Sequence, residues 1–595
     1  MQTTTLSSQG AGTGTTGAPA LSFPRLRVPA SARLLMLVCA ALPALILAWL
    51  LYHYAVNCPH WDEWDQNLVL LKAREGSLTW ADLLAQHNEH RLTVPRLVLL
   101  ALAETGSLNT VHQSWVSFLF ACVIAFLVYR LARATTDWRG WRLAAFSALA
   151  NLLIFGPIQY ANWLMGVQFL MFIPVACLCG CLLVLVSQAP PWEKALTTLV
   201  LSTLATFSVA NGLLVWLISG SLLLGLCWGE FARRRGWLAV WLAACGANLY
   251  LYLHAYHTPA WHAPLSQFNL LAAGRYFVAF LGAPLGSGND FRSVKFSTAF
   301  GLALLFLSVA SAVAVFAFRR DRPFVRCAAP WLGLGAFALL SAGVAAIGRN
   351  ASPVDQALSS RYTTFSVYLI VALVFVIPIV LEKIRARWPA LTALGAARIL
   401  TALCTVLLLN HAAASLAGAG SFQGTARERR QALACVLCLY SIQEPELERT
   451  TFPNLELLVQ RVHAYDRYGL LQPRPLRGDL RALHLHRDSG ARYGRMTLES
   501  TGVDAWRAAG WALSSDLSSP AASVVLAAED SAGALAPVAV VCPSLPRDEE
   551  PGAGLCGWRK EFRCHLSAGM ALSAWSLDPE RGEAWELAGG HAPAP

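Results

Sequence analysis

Apolar runs of about 20 residues recur along the chain, and short segments bearing Arg and Lys separate them. A helix needs about 20 such residues to cross a hydrocarbon layer roughly 30 Å thick. Inside lipid, only helices and closed barrels satisfy their backbone polar groups. The runs therefore point to a polytopic α-helical membrane protein. Charge agrees: 14% of the 595 residues are charged and 56% are hydrophobic, whereas soluble chains carry roughly a quarter charged residues. The net charge of +11 is distributed in clusters between apolar runs. That distribution argues against a nucleic-acid-binding face.

The apolar runs fall near 34–55, 112–131, 142–158, 164–187, 195–210, 212–230, 237–256, 296–318, 328–347, 363–381 and 390–411, predicting about eleven transmembrane helices. Basic clusters mark the cytoplasmic side. They are Arg25/Arg27/Arg33, Arg130/Arg133/Arg139/Arg142, Lys194, Arg233–Arg235, Arg319/Arg320/Arg322/Arg326 and Lys383/Arg385/Arg387. The N-terminus is then cytoplasmic and everything after 411 lies outside, as expected of a multi-pass protein of the inner (plasma) membrane. Residues 1–24, rich in Thr, Ser, Gly and Ala, read as a disordered cytoplasmic tail. The span near 34–55 is too long for a signal-peptide core and reads as an uncleaved first helix. Segments 93–108 and 268–286 are apolar but interrupted by Pro, Arg or Glu, so they read as interfacial or re-entrant.

The organisation expected is a membrane domain over 25–411 with a first external loop at 56–111, a helical linker at 412–477, and a β-sandwich-like domain at 478–595. Short apolar runs with turn residues between them carry the last assignment. Cys435, Cys438, Cys542, Cys556 and Cys564 lie in this polar part, where an oxidising compartment would allow a disulfide. Trp506, Trp511 and Trp575 could meet carbohydrate, although aromatics in sandwiches are more often core.

On this topology the polar motifs converge on one external face. The first loop opens with Cys58-Pro-His-Trp-Asp-Glu-Trp-Asp-Gln66. Asp62, Glu63 and Asp65 are candidate catalytic acids or bases, because a carboxylate within hydrogen-bond reach can take a proton from a hydroxyl nucleophile. The bland alternative is a solvated, helix-capping loop. Trp61 and Trp64 could stack on sugar rings or belong to an interfacial belt. His87, Glu89, His90 and Arg91 could bind phosphate or orient an acceptor, or form an ordinary surface turn. Arg349, Arg361 and Tyr362 flank a loop outside the membrane, against the positive-inside bias. A phosphate would hold such arginines, as would a salt bridge to Asp355 or a lipid headgroup. Gln159, Tyr160, Asn162, Trp163 and Gln168 follow a Gly-Pro break and suit sugar hydroxyls, or interhelical hydrogen bonds. Asn289 and Asp290 fall on the same face. No zinc-type spacing or nucleotide-binding motif appears.

With Asp62-Glu63-Trp64-Asp65 in its first external loop and many spans over about 34–411, the chain resembles the GT-C glycosyltransferases. The Trp-Asp-Glu-Trp-Asp, Asn-Glu-His-Arg and Ser-Arg-Tyr elements also look like those of bacterial membrane proteins of this type. The resemblance implies inverting transfer of a hexosyl or pentosyl group from a polyprenyl-phosphate donor to a glycan, lipid or protein acceptor of the cell envelope, as in polysaccharide biosynthesis. Asp62 or Asp65 would be the base. Arg361, Arg349 or Arg91 would stabilise the departing phosphate. A divalent cation, Mg or Mn, is optional in the family, and no clean ligand set stands out here. Two alternatives from other classes are a transporter or flippase for lipid-linked sugars, which should show internal repeats, and a non-catalytic envelope-glycan assembly protein.

Overall fold

A computed structural model describes residues 30–104, 106–231, 235–259, 265–286, 291–388, 390–487, 490–546, 554–567 and 569–589. The expectations for residues 1–24, Arg25, Arg27, Arg233, Arg234, Asn289 and Asp290 lie outside these.

Among the described residues ten helices are long and apolar enough to cross a membrane: Leu34–Tyr54, Thr110–Thr135, Gly140–Leu164, Gly166–Val186, Ala210–Gly229, Arg235–Leu253, Ser293–Ala317, Arg322–Gly348, Ser360–Arg387 and Ala393–Leu437. The chain is thus compatible with a multi-pass membrane protein. Its outer surface fits that environment: Leu37, Leu119, Phe126, Phe306, Phe316 and Leu416 are all exposed, and large exposed apolar patches mark surfaces meant for another apolar phase.

The expected span at 195–210 is a helix of only 16 residues, Pro191–Thr206. It rises about 24 Å, less than the roughly 30 Å of a bilayer core. Its end is fixed locally. The Phe207 carbonyl accepts from Val94 N at 2.9 Å. At the expected Asn211-Gly212 turn, a Cβ on Gly212 would lie 1.7 Å from Ala205 O, so only glycine permits the approach. The two interrupted segments also form short helices, Thr93–Ala103 and Leu270–Gly282.

Basic segments assigned to one side do meet. Arg142 pairs with Glu382 and Lys383 with Asp321. Arg326 donates to Val186 O and Ser187 O at 2.8 and 3.0 Å. Lys194, grouped with them in the sequence, is instead buried beside Cys227.

The last long helix, Ala393–Leu437, has 45 residues and spans about 68 Å. It runs unbroken through the 411/412 position, so its distal half carries Arg427, Arg429 and Arg430 to the rest of the molecule. Two small helices follow, Glu446–Thr450 and Leu455–Arg467, the second capped by Asn454 accepting from Leu457 N.

The C-terminal region forms two sheets. Strands β3 (His484–His486), β10 (Glu583–Glu586), β9 (Ala571–Asp578), β6 (Ser523–Glu529) and β7 (Leu535–Val541) form one, in that order. Strands β4 (Gly494–Gly502), β5 (Ala505–Ala512) and β8 (Gly557–Arg563) form the other. Between them Met496, Ala508, Val524, Leu526, Trp558 and Ala574 make a core. The opposite face of the larger sheet (Val525, Val540, Trp575, Leu577) joins the main core with Leu437, Leu439 and Leu447. Burial on both faces explains why β6 is apolar nearly throughout rather than alternating. Glu444 fixes the docking by accepting from Val540 N at 3.1 Å and Lys560 Nζ at 2.7 Å. Trp506 and Trp575 are core, with indole N–H groups bonded to Cys564 O and Ser573 Oγ. No disulfide joins any of the cysteines, the five C-terminal ones included.

Candidate functional site

The acidic motif forms a five-residue helix, Asp62–Gln66. Side chains three apart share a helix face, whereas neighbours diverge by about 100°. Asp62 and Asp65 therefore lie together, and Glu63 turns away into the protein. Glu63 is 0% exposed. Its Oε1 accepts from Gly166 N at 2.6 Å, and its Oε2 accepts from His60 N at 2.7 Å and from Arg429 Nη1 at 3.2 Å. Arg429 also donates to Cys58 O at 2.8 Å. Burial pushes the Glu63 carboxyl up, against the pull of Arg429 and the two N–H groups. A carboxylate so enclosed is a strut joining the first loop to the Met165–Gln168 break and the long C-terminal helix. This corrects the catalytic role expected of Glu63.

Asp62 and Asp65 are only partly buried. Asp62 has no hydrogen bond or ion pair among the described residues. Asp65 pairs with Arg461 Nη2 at 2.5 Å. Burial raises its pKa, Arg461 and His87 oppose that shift, and the Asp62 charge adds to it.

The His87–Arg91 cluster is a miniature hairpin. Strands β1 (Gln86–His87) and β2 (His90–Arg91) pair His87 with His90 and Gln86 with Arg91. Asn88 takes the left-handed conformation, φ 53°, that a two-residue hairpin turn requires. Directly opposed residues share a sheet face, so the two imidazoles lie side by side and Arg91 goes to the other face. There Arg91 donates to Tyr252 O and Leu84 O, both at 2.8 Å, and to His254 O. Its expected role at a phosphate is corrected to that of a backbone staple. Burial lowers the pKa of His87, while Asp62 and Asp65 pull it back up. Burial takes His90 down to about 4, and its Nδ1 accepts from Ala210 N at 3.2 Å. Burial thus favours the neutral form of both imidazoles.

Glu89, at the hairpin tip, holds Arg349 at 3.5 Å. That carboxylate, rather than Asp355, keeps Arg349 in place. Arg361 has no acidic partner among the described residues. Its guanidinium lies over the Tyr362 ring at 5.4 Å, and Tyr362 packs on Phe280 at 5.6 Å.

No family model matches the chain, and no curated protein or solved structure does. Roles therefore follow from the geometry.

The two tryptophans part company. Trp64 is fully buried against Tyr465, whose hydroxyl donates to Trp64 O at 2.8 Å. Trp61 is 45% exposed at φ 48°, rare for a bulky residue, with its N–H bonded to Thr451 O at 2.7 Å. Such strain persists only where surrounding structure imposes it, and it collects at functional sites.

The amide cluster is structural. Gln159 is buried, donating to Ile154 O at 3.0 Å and accepting from Thr364 Oγ1 at 2.8 Å. Asn162 donates to Arg361 O at 2.9 Å and to Thr364 Oγ1 at 2.6 Å. Trp163 is buried with its N–H on Gly156 O at 3.1 Å. Gln168 is also buried. Tyr160 alone is partly exposed. Gln159, Asn162 and Trp163 thus make hydrogen bonds within the helical core, one of them holding the Arg361 carbonyl, while Asn162 Oδ1 and Gln168 Oε1 are buried without a hydrogen bond.

The sequence reading missed Arg429, Arg461 and Tyr465. All three approach the acidic helix from the distal long helix and the helix Leu455–Arg467. No group of three or more His, Cys, Asp or Glu with metal-holding geometry occurs among the described residues.

Proposed function

We propose that the chain is an integral-membrane glycosyltransferase that moves a sugar from a polyprenyl-phosphate donor to an extracytoplasmic acceptor. Asp62 acts as the general base. One observation carries this reading: Asp62, without a hydrogen bond or ion pair among the described residues, shares a helix face with the ion-paired Asp65 and the field of His87, next to the exposed Trp61.

In this mechanism the acceptor hydroxyl gives its proton to Asp62. Its oxygen bonds to the anomeric carbon, and the carbon–oxygen bond to phosphate breaks with inversion. Polyprenyl phosphate departs with both electrons of that bond. Arg361 and Arg349 meet the charge that develops on it. The Asp65–Arg461 pair orients the acceptor, and Trp61 offers an aromatic face to a sugar ring. The polar site then lies outside the inner membrane, consistent with the clustering of basic segments elsewhere.

The test is envelope-glycan mass spectrometry on a deletion strain complemented with wild type, Asp62→Asn or Asp65→Asn at matched membrane levels. A sugar missing in the deletion and not restored by Asp62→Asn supports transfer. Full restoration by both variants rules it out and favours transport or scaffolding.

A further inference from the structure

A polar cleft opens on the flank of the helix Leu455–Arg467 away from the acidic motif. Its volume is about 590 Å³, and it is lined by Tyr440, His463, Asp466, Arg467, Arg477 and Gly478. The helix has two working faces. Arg461 and Tyr465 reach the acidic motif of the first loop, while His463, Asp466 and Arg467 line the cleft.

The cleft is rigidly built around one buried carboxylate. Asp466 is 1% exposed. It accepts from Tyr440 Oη at 3.0 Å, Arg474 Nε at 3.1 Å and Arg477 Nη2 at 3.2 Å, and Arg474 also donates to the Asp466 carbonyl at 3.0 Å. Burial would raise the Asp466 pKa, but these hydrogen bonds hold it below the ordinary carboxylate value. Asp466 is therefore ionised and saturated, an anchor rather than a reactive group.

What it anchors faces water. The side chains of Arg474 and Arg477 are 59% and 75% exposed, and Arg467 is exposed beside them. One buried anion against three arginines leaves a surplus of positive charge at the mouth. Next to it the Tyr440 and His463 rings stack at 4.6 Å and 10°. Both rings are exposed, so the pair presents a flat, preformed platform. An aromatic plane beside exposed guanidiniums matches a sugar ring that carries a carboxylate or phosphate. The plane packs on the ring, and the planar donors meet the oxyanion.

We infer that this cleft binds an anionic saccharide, and that in the transferase it holds an acid-bearing residue of the acceptor glycan. The second half of that inference rests on the proposed function; the binding does not. Helix Leu455–Arg467 then ties the acceptor subsite to the acids that act on it.

The experiment measures binding of tri-galacturonate to the full-length protein in neutral-lipid nanodiscs by calorimetry, with maltotriose as the uncharged control. The expected result is tri-galacturonate binding that exceeds maltotriose binding at least tenfold and weakens with added salt. Arg467→Gln with Arg477→Gln should weaken it at least tenfold, and Arg467→Gln alone, which removes no partner of Asp466, should weaken it in the same direction at unchanged Tm. Tyr440→Ala should lower affinity for both sugars. Equal affinity for the two trisaccharides, or binding untouched by the double variant, overturns the proposal. So does loss of binding when phosphatidylglycerol is added to the nanodisc, which would assign the cleft to lipid headgroups. Asp62→Asn separates the two readings. It should abolish transfer and leave tri-galacturonate binding intact, so either result can fail alone.

Discussion

Two polar segments look alike in the sequence and differ in the fold. Asp62–Asp65 and Gln159–Trp163 each set hydrogen-bonding side chains beside tryptophan in an apolar chain. In the second segment, Gln159, Asn162 and Trp163 direct their donors to Leu153–Gly156, Arg361 and Thr364. In the first, Glu63 is buried and saturated, Asp65 pairs with Arg461, and Asp62 has no partner among the described residues. Buried polar groups must be paired, so a paired amide in a membrane domain needs no functional explanation. A carboxylate left unpaired on a face shared with a second acid does. Saturation, more than residue type, separates a strut from a site.

The comparison breaks most sharply at Glu63. Removing one member of a buried ion pair costs about 3–5 kcal/mol. Glu63→Gln should therefore lower the thermal midpoint in detergent strongly. Arg429→Met should do the same, and the double variant should recover part of the loss. A Glu63→Gln protein of wild-type Tm but no activity would move Glu63 back into the chemistry.

Asp62 comes next. Loss of a general base costs about 10²–10⁴-fold in rate, so on the proposed mechanism Asp62→Asn should reduce transfer by that much at unchanged Tm. Asp65→Asn should cost less in rate, because Asp65 is already engaged by Arg461, and it should lower Tm, because it leaves that largely buried guanidinium without its anion. The reverse order would make Asp65 the base.

The amide segment should respond in stability and little in rate. Asn162→Ala leaves the Thr364 and Arg361 groups short of a partner, at about 1–3 kcal/mol. A smaller effect of Asn162→Ala on Tm than on KM would overturn the assignment of this cluster as structural.

The smallest effect concerns pH. His90 has a folded pKa of about 4 against roughly 6.5 unfolded. The folded state binds fewer protons. The contribution of His90 to stability is thus complete above about pH 6.5 and is lost as pH falls toward 4. His90→Gln should flatten the Tm-versus-pH curve in that window. His60, pushed to about 2 by burial and by Arg429, leaves a residual slope. An unchanged curve would mean that His90 is not buried neutral.

The gathering of these charged side chains was legible because charge is conspicuous in an apolar chain. The first-loop acids, the hairpin histidines and Arg349 needed only that contrast. Arg429 escaped because it lies 366 residues from Glu63, in a polar segment where another arginine attracts no notice. The misassignment of Arg91 had a similar cause. A one-residue step along β2 reverses the face a side chain occupies, and spacing alone does not say which face meets the acids.

The sequence by itself determined the long apolar helices, the strands of the C-terminal region and the gathering of basic segments, because hydrophobic run length and periodicity are local properties. Only the tertiary structure decided which polar groups stay available. That depends on whether a distant donor reaches each one, as Gly166 N and Arg429 reach Glu63 and no described residue reaches Asp62. Pairing across hundreds of residues is set by packing, and packing is not written in any single stretch of the chain.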